Sequence, residues 1–275
     1  MALSFTSLNS GSNGNCYYIE NQHDAILVDA GITCRETEKR MERLSLSMTK
    51  VRAIFVSHEH SDHIRGISVI AKKYDLPVFI TDGTLKKSGF SLDSSLLKTF
   101  TAHEPIQIGE LEITAFPKFH DASDPHSFIV SCNGIKVGVF TDIGIPCENV
   151  IRYFSACHAA FLEANYDEDM LENGRYPNHL KARIRGGHGH LSNKQALELF
   201  CKNGTHMSHL LLSHLSRDNN SPDLVFQLFK KSSIGTEIIV ASREIETKVY
   251  HINSPSFVPF RKKAKSQNIQ YSLFS

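Results

Sequence analysis

Directly behind the apolar run 53–56, the segment His58-Glu59-His60-Ser61-Asp62-His63 places three imidazoles and an aspartate within six residues. The run is short and rich in β-branched and aromatic side chains, so it reads as a buried strand. Residues two apart in an extended chain point to the same side, which brings the rings of His58 and His60 together. Asp62 and His63 then fall where the chain turns into a helix expected over 64–73. Neutral imidazole binds divalent transition metals, and a carboxylate adds a harder oxygen donor. Two of these groups can therefore serve one ion while the next two serve a neighbouring ion. A fold that accommodates this segment must bring a strand end, a sharp turn and a helix start to one place.

The other donors have to come from elsewhere, and fifteen histidines make the search worthwhile. Strands are expected over 3–8, 16–20 and 25–29. The first two are joined by a small polar loop ending at Asn15, which suits either an anion-binding nest of backbone N–H groups or a tight turn. Asp29 ends the third strand ahead of a helix over 35–44, as a helix cap or as a site residue. A strand over 77–80 follows the motif, then a helix and loop over 81–98, then meandering strands over 99–101, 104–108 and 111–116. The loop 117–125 offers His120 at a strand end, with His103 and His126 as rivals. Strands 127–132 and 135–140 form a hairpin across Asn133-Gly134. That hairpin delivers Asp142, placed either to bridge two ions or to cap a helix over 147–153.

Strand 159–163 ends in Glu163 and is followed by the acidic stretch 167–172. Between 175 and 195 the charge reverses, with Arg175, Lys181, Arg183, Arg185 and Lys194 and no acidic residue. The same segment holds a Gly/His loop with His188 and His190, and Ser192 as N-cap of a helix to about 202. Segregated charge usually marks a solvated surface. Beside a Gly/His loop and a helix N-terminus it suits phosphate, with Arg183, Arg185, Lys194, Ser192, Asn193 and Asn15 as candidate contacts. Strand 209–213 ends at His214, a helix covers 224–231, and strands 237–240 and 247–251 close the domain, taken as 1–251. Residues 252–275 form a basic tail, expected to be a flexible extension.

The motif His58-x-His60-x-Asp62-His63 resembles the signature of the metallo-β-lactamase-fold hydrolases. The resemblance implies an α/β protein, a four-layer αββα sandwich with a two-metal site along one edge of the two sheets. A closer resemblance, to the YycJ/WalJ family related to tRNase Z-like nucleases, covers nearly all of 3–251. It rests on the loop 10–15, the histidine motif, His120-Asp-Ala-Ser-Asp-Pro125, Thr141-Asp142, Leu162-Glu163-Ala164-Asn165, the run from Arg185 to Asn193, and Leu212-Ser-His214 through Asn219. What it implies, residue by residue, is one metal held by His58, His60 and His120. Asp62, His63 and His214 would hold the second, with Asp142 bridging and Asp29 behind the histidines. Glu163 and His190 correspond to a pair beside the leaving group, so Asp62, Glu163 and His190 are expected to act in the chemistry. This mixed nitrogen and oxygen set suits two Zn²⁺ or Mn²⁺ ions per chain.

Composition narrows the function classes. A formal net charge of +1 excludes a generally basic nucleic-acid coat but leaves room for a local basic groove. No apolar run approaches the ~18–20 residues of a membrane span. The N-terminus shows no secretory pattern, and six scattered cysteines without a C-x-x-C pair read as reduced thiols, so a cytoplasmic location is expected. The leading expectation is a metal-dependent phosphodiesterase in which a hydroxide activated by two metals attacks phosphorus. The resemblance implies a 5′-to-3′ exonuclease on nucleic acid, DNA rather than RNA. The competing readings are a small-ester or thioester hydrolase similar to glyoxalase II, and a non-catalytic metal-binding module. The hydrolase has no evident use for Glu163, His190 and a basic segment, and the module would be favoured by a broken donor set, whereas no donor is missing here.

Overall fold

In the computed structural model the described residues are 3–253. The first sheet is built from β1 (Leu3–Asn9), β2 (Cys16–Glu20), β3 (Ala25–Val28), β4 (Val51–Phe55), β5 (Val78–Phe79) and β6 (Leu97–Lys98). The second takes β7 (Pro105–Ile108), β8 (Leu111–Pro117), β9 (His126–Cys132), β10 (Ile135–Phe140), β11 (Ala159–Glu163), β12 (His209–Ser213) and β13 (Glu237–Val240). The chain then returns to the first sheet as β14 (Tyr250–Ile252), pairing Leu3 with Ile252 beside β1. Each sheet thus has seven strands, β14-β1-β2-β3-β4-β5-β6 and β13-β12-β11-β10-β9-β8-β7.

Period-two alternation sorts the strand residues into three cores. Phe5, Tyr17, Ile19, Ile26, Val28 and Phe55 of the first sheet meet Val130, Val137, Val139, Phe161 and Leu211 of the second. Phe161 closes that contact, with its ring 5.9 Å from Phe5 and 4.8 Å from Tyr17. Their neighbours in sequence face outward. Tyr18, Leu27 and Ile54 pack under α1 (Cys34–Arg43) and α3 (Ile67–Tyr74), which follows the short α2 (Ser61–Ile64) and precedes α4 (Asp82–Ser88). Phe140, Leu162 and Leu212 pack under α5 (Glu148–Ser155), α8 (Asn193–Asn203) and α9 (Pro222–Lys230). Two further helices, α6 (Glu168–Asn173) and α7 (Asn178–Arg185), lie in the acidic and basic stretches. The layers are helix, sheet, sheet and helix, the expected αββα sandwich.

Several expected boundaries shift for local reasons. The helix after the histidines starts at Ser61, not at 64, and breaks between α2 and α3. Gly66 stands at the break, where a Cβ would lie 2.0 Å from the Ile32 carbonyl oxygen. The strand expected over 99–101 is instead β6 at Leu97–Lys98, and the last strand begins at Tyr250 rather than 247. The helices α6 and α7 went unread because charge, not apolar periodicity, dominates both. None of the six cysteines pairs with another, and no described helix is long and apolar enough to cross a membrane. From residue 254 onward the expected tail lies outside the described residues.

Candidate active site

In the first sheet β3 and β4 run parallel; in the second β8, β10, β11 and β12 share one direction. The segments leaving the carboxyl ends of these strands carry Asp29, the histidine motif, His120, Asp142 and His214, while Glu163 is the last residue of β11. Convergence of the expected site is thus a consequence of strand direction. Asp29 (φ 59°), Asp142 (φ 54°) and His214 (φ 54°) all adopt the left-handed backbone region. Asp tolerates that conformation better than most residues, and at a strand end it turns the chain sharply off the sheet.

Asp142 is buried at the centre. Its Oδ2 lies 3.1 Å from His63 Nε2 and 3.0 Å from His214 Nδ1, and its Oδ1 lies 3.8 Å from His120 Nε2. His58 Nε2 and His60 Nδ1 are 3.0 Å apart, and His120 Nε2 is 3.4 Å from the same His60 nitrogen. Asp62 Oδ2 stands 3.6 Å from His63 Nε2 and 3.8 Å from His214 Nε2. The donor groups His58–His60–His120 and Asp62–His63–His214 are each compact enough to hold a cation.

The outer partners of the rings fit a metal. His58 Nδ1 meets Ser57 Oγ at 2.9 Å, His63 Nδ1 meets Asp29 Oδ2 at 2.7 Å and His120 Nδ1 meets the Gly189 carbonyl at 3.0 Å. Each contact occupies one nitrogen and leaves the other for the interior of the site, the usual arrangement behind metal-binding histidines. Burial pushes His58 well below its ordinary pKa, helped by His63, and pushes His120 down to about 3, so both rings keep a lone pair for a cation. Burial also opposes charge on His63, but Asp142, Asp29 and Asp62 outweigh it and raise its pKa well above normal. Asp121 Oδ1 is buried, has no hydrogen-bond donor, and lies 3.3 Å from His120 Nε2. An orphaned carboxylate oxygen beside neutral imidazoles is the electrostatic complement of a divalent cation.

Beside this cluster, Glu163 is fully buried and binds three ways. Its Oε1 lies 2.7 Å from His190 Nδ1, and its Oε2 accepts from the backbone N–H groups of Ile143 (2.8 Å) and Leu191 (3.1 Å). Burial works against a charged His190, but Glu163, then Asp142 and Asp121, outweigh it and raise the ring's pKa to about 9. His190, His214, Asp121, Arg183, Tyr176 and Ser216 help to line an open cleft of about 200 Å³.

A sandwich carrying such a site at one sheet edge has known counterparts. Residues 24–215 match the family described as the beta-lactamase superfamily domain. "Exodeoxyribonuclease YycJ" of Bacillus anthracis is 32% identical over 92% of this chain and all of its own length. The chain belongs to the β-lactamase superfamily, within its YycJ/WalJ family. "Exodeoxyribonuclease WalJ" of Streptococcus pneumoniae is 28% identical over 94% of this chain and 97% of its own. The metallo-β-lactamase fold protein YhfI of Bacillus subtilis superposes with a TM-score of 0.70 at 17% identity, covering 90% of this chain and 99% of that one. The superfamily fold implies a divalent metal, and the donors of this chain fit one.

In this β-lactamase-superfamily site, His120 joins the cluster while its rivals do not. His126 Nδ1 bonds to the Asp124 carbonyl (3.0 Å) and His103 Nδ1 to the Tyr153 hydroxyl (2.9 Å). Among the expected phosphate contacts only Arg183 lines the cleft, its Nε donating to Asp121 Oδ2. Arg185 pairs with Glu172 at 2.9 Å and Lys194 with Glu168 at 2.5 Å, so the acidic stretch neutralises part of the basic one. Ser192 and Asn193 are buried and used internally. Ser192 caps α8 and donates to Glu168 Oε1, and Asn193 interlocks with Asn220. Asn15 is buried too, its Nδ2 3.2 Å from Asp62 Oδ2 and 3.1 Å from His63 Nε2. Its loop spends backbone donors on the protein: Gly11 N–H on Asn15 Oδ1 and Asn15 N–H on the Asp62 carbonyl. The loop is a brace for the histidine motif, not a free nest.

Three residues at this site escaped the sequence reading: Ser57, Asp121 and Lys118. Ser57 links Asp29 to His58, and a serine just ahead of the motif was the available signal. Lys118 is buried, donates to the Thr141 carbonyl at 2.6 Å, and has its pKa lowered by burial against the pull of Asp142, Asp29 and Glu163. A lysine between Pro117 and Phe119 at a strand end was the only hint. Asp29 itself accepts from Ser57 N–H (2.8 Å), Ser57 Oγ–H (2.7 Å) and His63 Nδ1. Replacing Asp29 by Ala orphans these buried donors, at roughly 1–3 kcal/mol each. A fall in Tm of roughly 6 °C or more is expected in calorimetry, with about 10–100-fold weaker metal binding in a chelator titration. An unchanged Tm and metal affinity would remove Asp29 from its supporting role.

Proposed function

We propose that this chain is a metal-dependent nuclease of the exodeoxyribonuclease type, with two divalent ions, Zn²⁺ or Mn²⁺, and DNA as its preferred strand. His58, His60 and His120 would hold one ion and Asp62, His63 and His214 the other, with the Asp142 carboxylate between the two donor groups. Ions bound there supply a polarised water and offset charge on the phosphoryl oxygens. The remaining work falls to the protein. Arg183 stands in the cleft wall, where a substrate phosphate competes with Asp121 for its guanidinium. Glu163 fixes His190 through Nδ1, so that Nε2 of the charged ring presents its proton to the leaving sugar oxygen.

The observation that carries this reading is the Glu163–His190 pair at 2.7 Å on the flank of Asp142, since an ester or thioester hydrolase has less need of a dedicated acid there. The names of the relatives that match most of this chain point the same way. The test uses end-labelled single- and double-stranded DNA and RNA with Mn²⁺ or Zn²⁺. Mononucleotides released progressively from the 5′ end of DNA, and abolished by EDTA, are the expected result. Thioester hydrolysis without cleavage of any polynucleotide would replace this reading with the glyoxalase-like one.

A further inference from the structure

The cleft does not end at the metal donors. Past Leu215 and Ser216, which belong to its wall, a groove of about 400 Å³ continues along Arg217, Ser242, Arg243 and Glu244. A neighbouring recess of about 220 Å³ is lined by Asn13 and the same Arg217, Arg243 and Glu244. Two guanidiniums thus line both spaces, with Glu244 as the one carboxylate. Arg217 is exposed and forms no ion pair or hydrogen bond with the described residues. Arg243 is held in place: its Nη2 donates to Ser12 Oγ at 2.9 Å and its carbonyl accepts from Asn13 Nδ2 at 2.8 Å. Its Nη1 is nevertheless buried without any partner. Arg65 also meets the loop that holds Arg243, donating to the Asn13 carbonyl at 3.1 Å.

A buried guanidinium nitrogen without an acceptor is costly, and its natural complement is a multi-oxygen anion that can meet the planar fork. In a chain of formal net charge +1, this is local concentration rather than general basicity. The lining also includes Leu215, Pro222 and Val240, apolar surface against which a sugar or base can pack. We propose that this groove holds a phosphate group of the same strand whose scissile bond lies in the cleft, with Arg217 and Arg243 as its ligands. The inference rests on the nuclease reading. It extends strand binding beyond Arg183 to the loops that follow β12 and β13, and it gives the loop after β1 a second task, the positioning of Arg243.

The experiment measures kcat/KM of the metal-loaded full chain on oligodeoxynucleotides bearing either a 5′-phosphate or a 5′-hydroxyl, over a series of KCl concentrations. Arg217→Ala and Arg243→Ala are each expected to lose roughly tenfold or more, carried by KM. The log–log salt slope should flatten by about 0.7 for each contact removed from a single strand. Arg217→Lys should recover part of the loss. Because Arg217 is exposed and unpartnered, its replacement leaves the fold intact, which keeps the test informative if Arg243→Ala is poorly folded. A loss confined to 5′-phosphorylated strands assigns the groove to a terminal phosphate; an equal loss on both assigns it to a backbone phosphodiester. Unchanged KM and salt slope in Arg217→Ala and Arg243→Ala, with wild-type cleavage normal, overturn the groove alone. Failure of the wild-type chain to cleave any polynucleotide overturns the nuclease reading beneath it.

Discussion

Asp142→Ala is expected to abolish tight metal binding and, with it, hydrolysis of every phosphodiester substrate. Among the described residues, Asp142 is the one carboxylate whose oxygens approach donors of both groups: Oδ2 faces His63 and His214, and Oδ1 faces His120. Burial alone would favour its neutral form, yet His214 and His63 hold its pKa well below the ordinary range, so the carboxylate is charged as it stands. Its removal leaves Nε2 of buried His63 without the carboxylate oxygen nearest to it. Breaking a buried charge pair in this way typically costs about 3–5 kcal/mol. Elemental analysis should fall from the proposed two ions per chain to one loosely held or none, and kcat should drop roughly 10³-fold or more. Asp142→Asn, which keeps the shape, separates loss of the carboxylate charge from collapse of the cavity. One tightly bound ion, unchanged in either variant, would defeat the proposed donor assignment.

His190→Ala should produce a different defect, one confined to difficult leaving groups. Cleavage of a nucleic-acid phosphodiester expels a sugar alkoxide, which leaves poorly unless it is protonated as the bond breaks. A positioned acid contributes about 10²–10⁴-fold to such a step. In the protein, Glu163 holds His190 Nδ1 at 2.7 Å and is itself fixed by two backbone N–H groups, so the ring has little freedom to turn. His190→Ala is therefore expected to lose that factor on DNA with metal content intact. Glu163→Gln, which leaves the imidazole in place but removes its charged partner, should lose less. Both defects should largely vanish with bis(p-nitrophenyl) phosphate, whose phenolate departs without a proton. An equal loss on both substrates would make His190 a binding or structural residue and withdraw its role as acid.

The donors expected from the sequence come together in space because they stand at strand ends, where an apolar run stops abruptly at a polar side chain. Asp29, Asp142, Glu163 and His214 all carry that signature, and the His58-x-His60-x-Asp62-His63 spacing supplies the rest. Spacing alone could not choose among His103, His120 and His126, since all three lie at or near the ends of β strands. The choice belongs to the direction of β8 and to the Gly189 carbonyl that fixes His120. The basic segment shows the opposite case. Read along the chain, 175–195 is a run of unopposed positive charge; in space, Glu168 and Glu172 of α6 lie against Lys194 and Arg185. Charge is screened by whatever the fold brings near, which a linear reading cannot supply.

By itself the sequence determined strands apolar enough to be buried and polar donors at their ends, while the two-sheet sandwich and its edge site were legible only through the resemblance carried by the histidine motif. Tertiary structure alone decided what stands behind and beside those donors. Ser57, Lys118 and Asp121 are ordinary residues in the chain and enter the site only because loops from different strands meet there. Arg217 and Arg243 are twenty-six positions apart, on loops after successive strands β12 and β13. Parallel pairing of those strands brings the two loops out at the same edge, and with them two guanidiniums that nothing in the linear order joins.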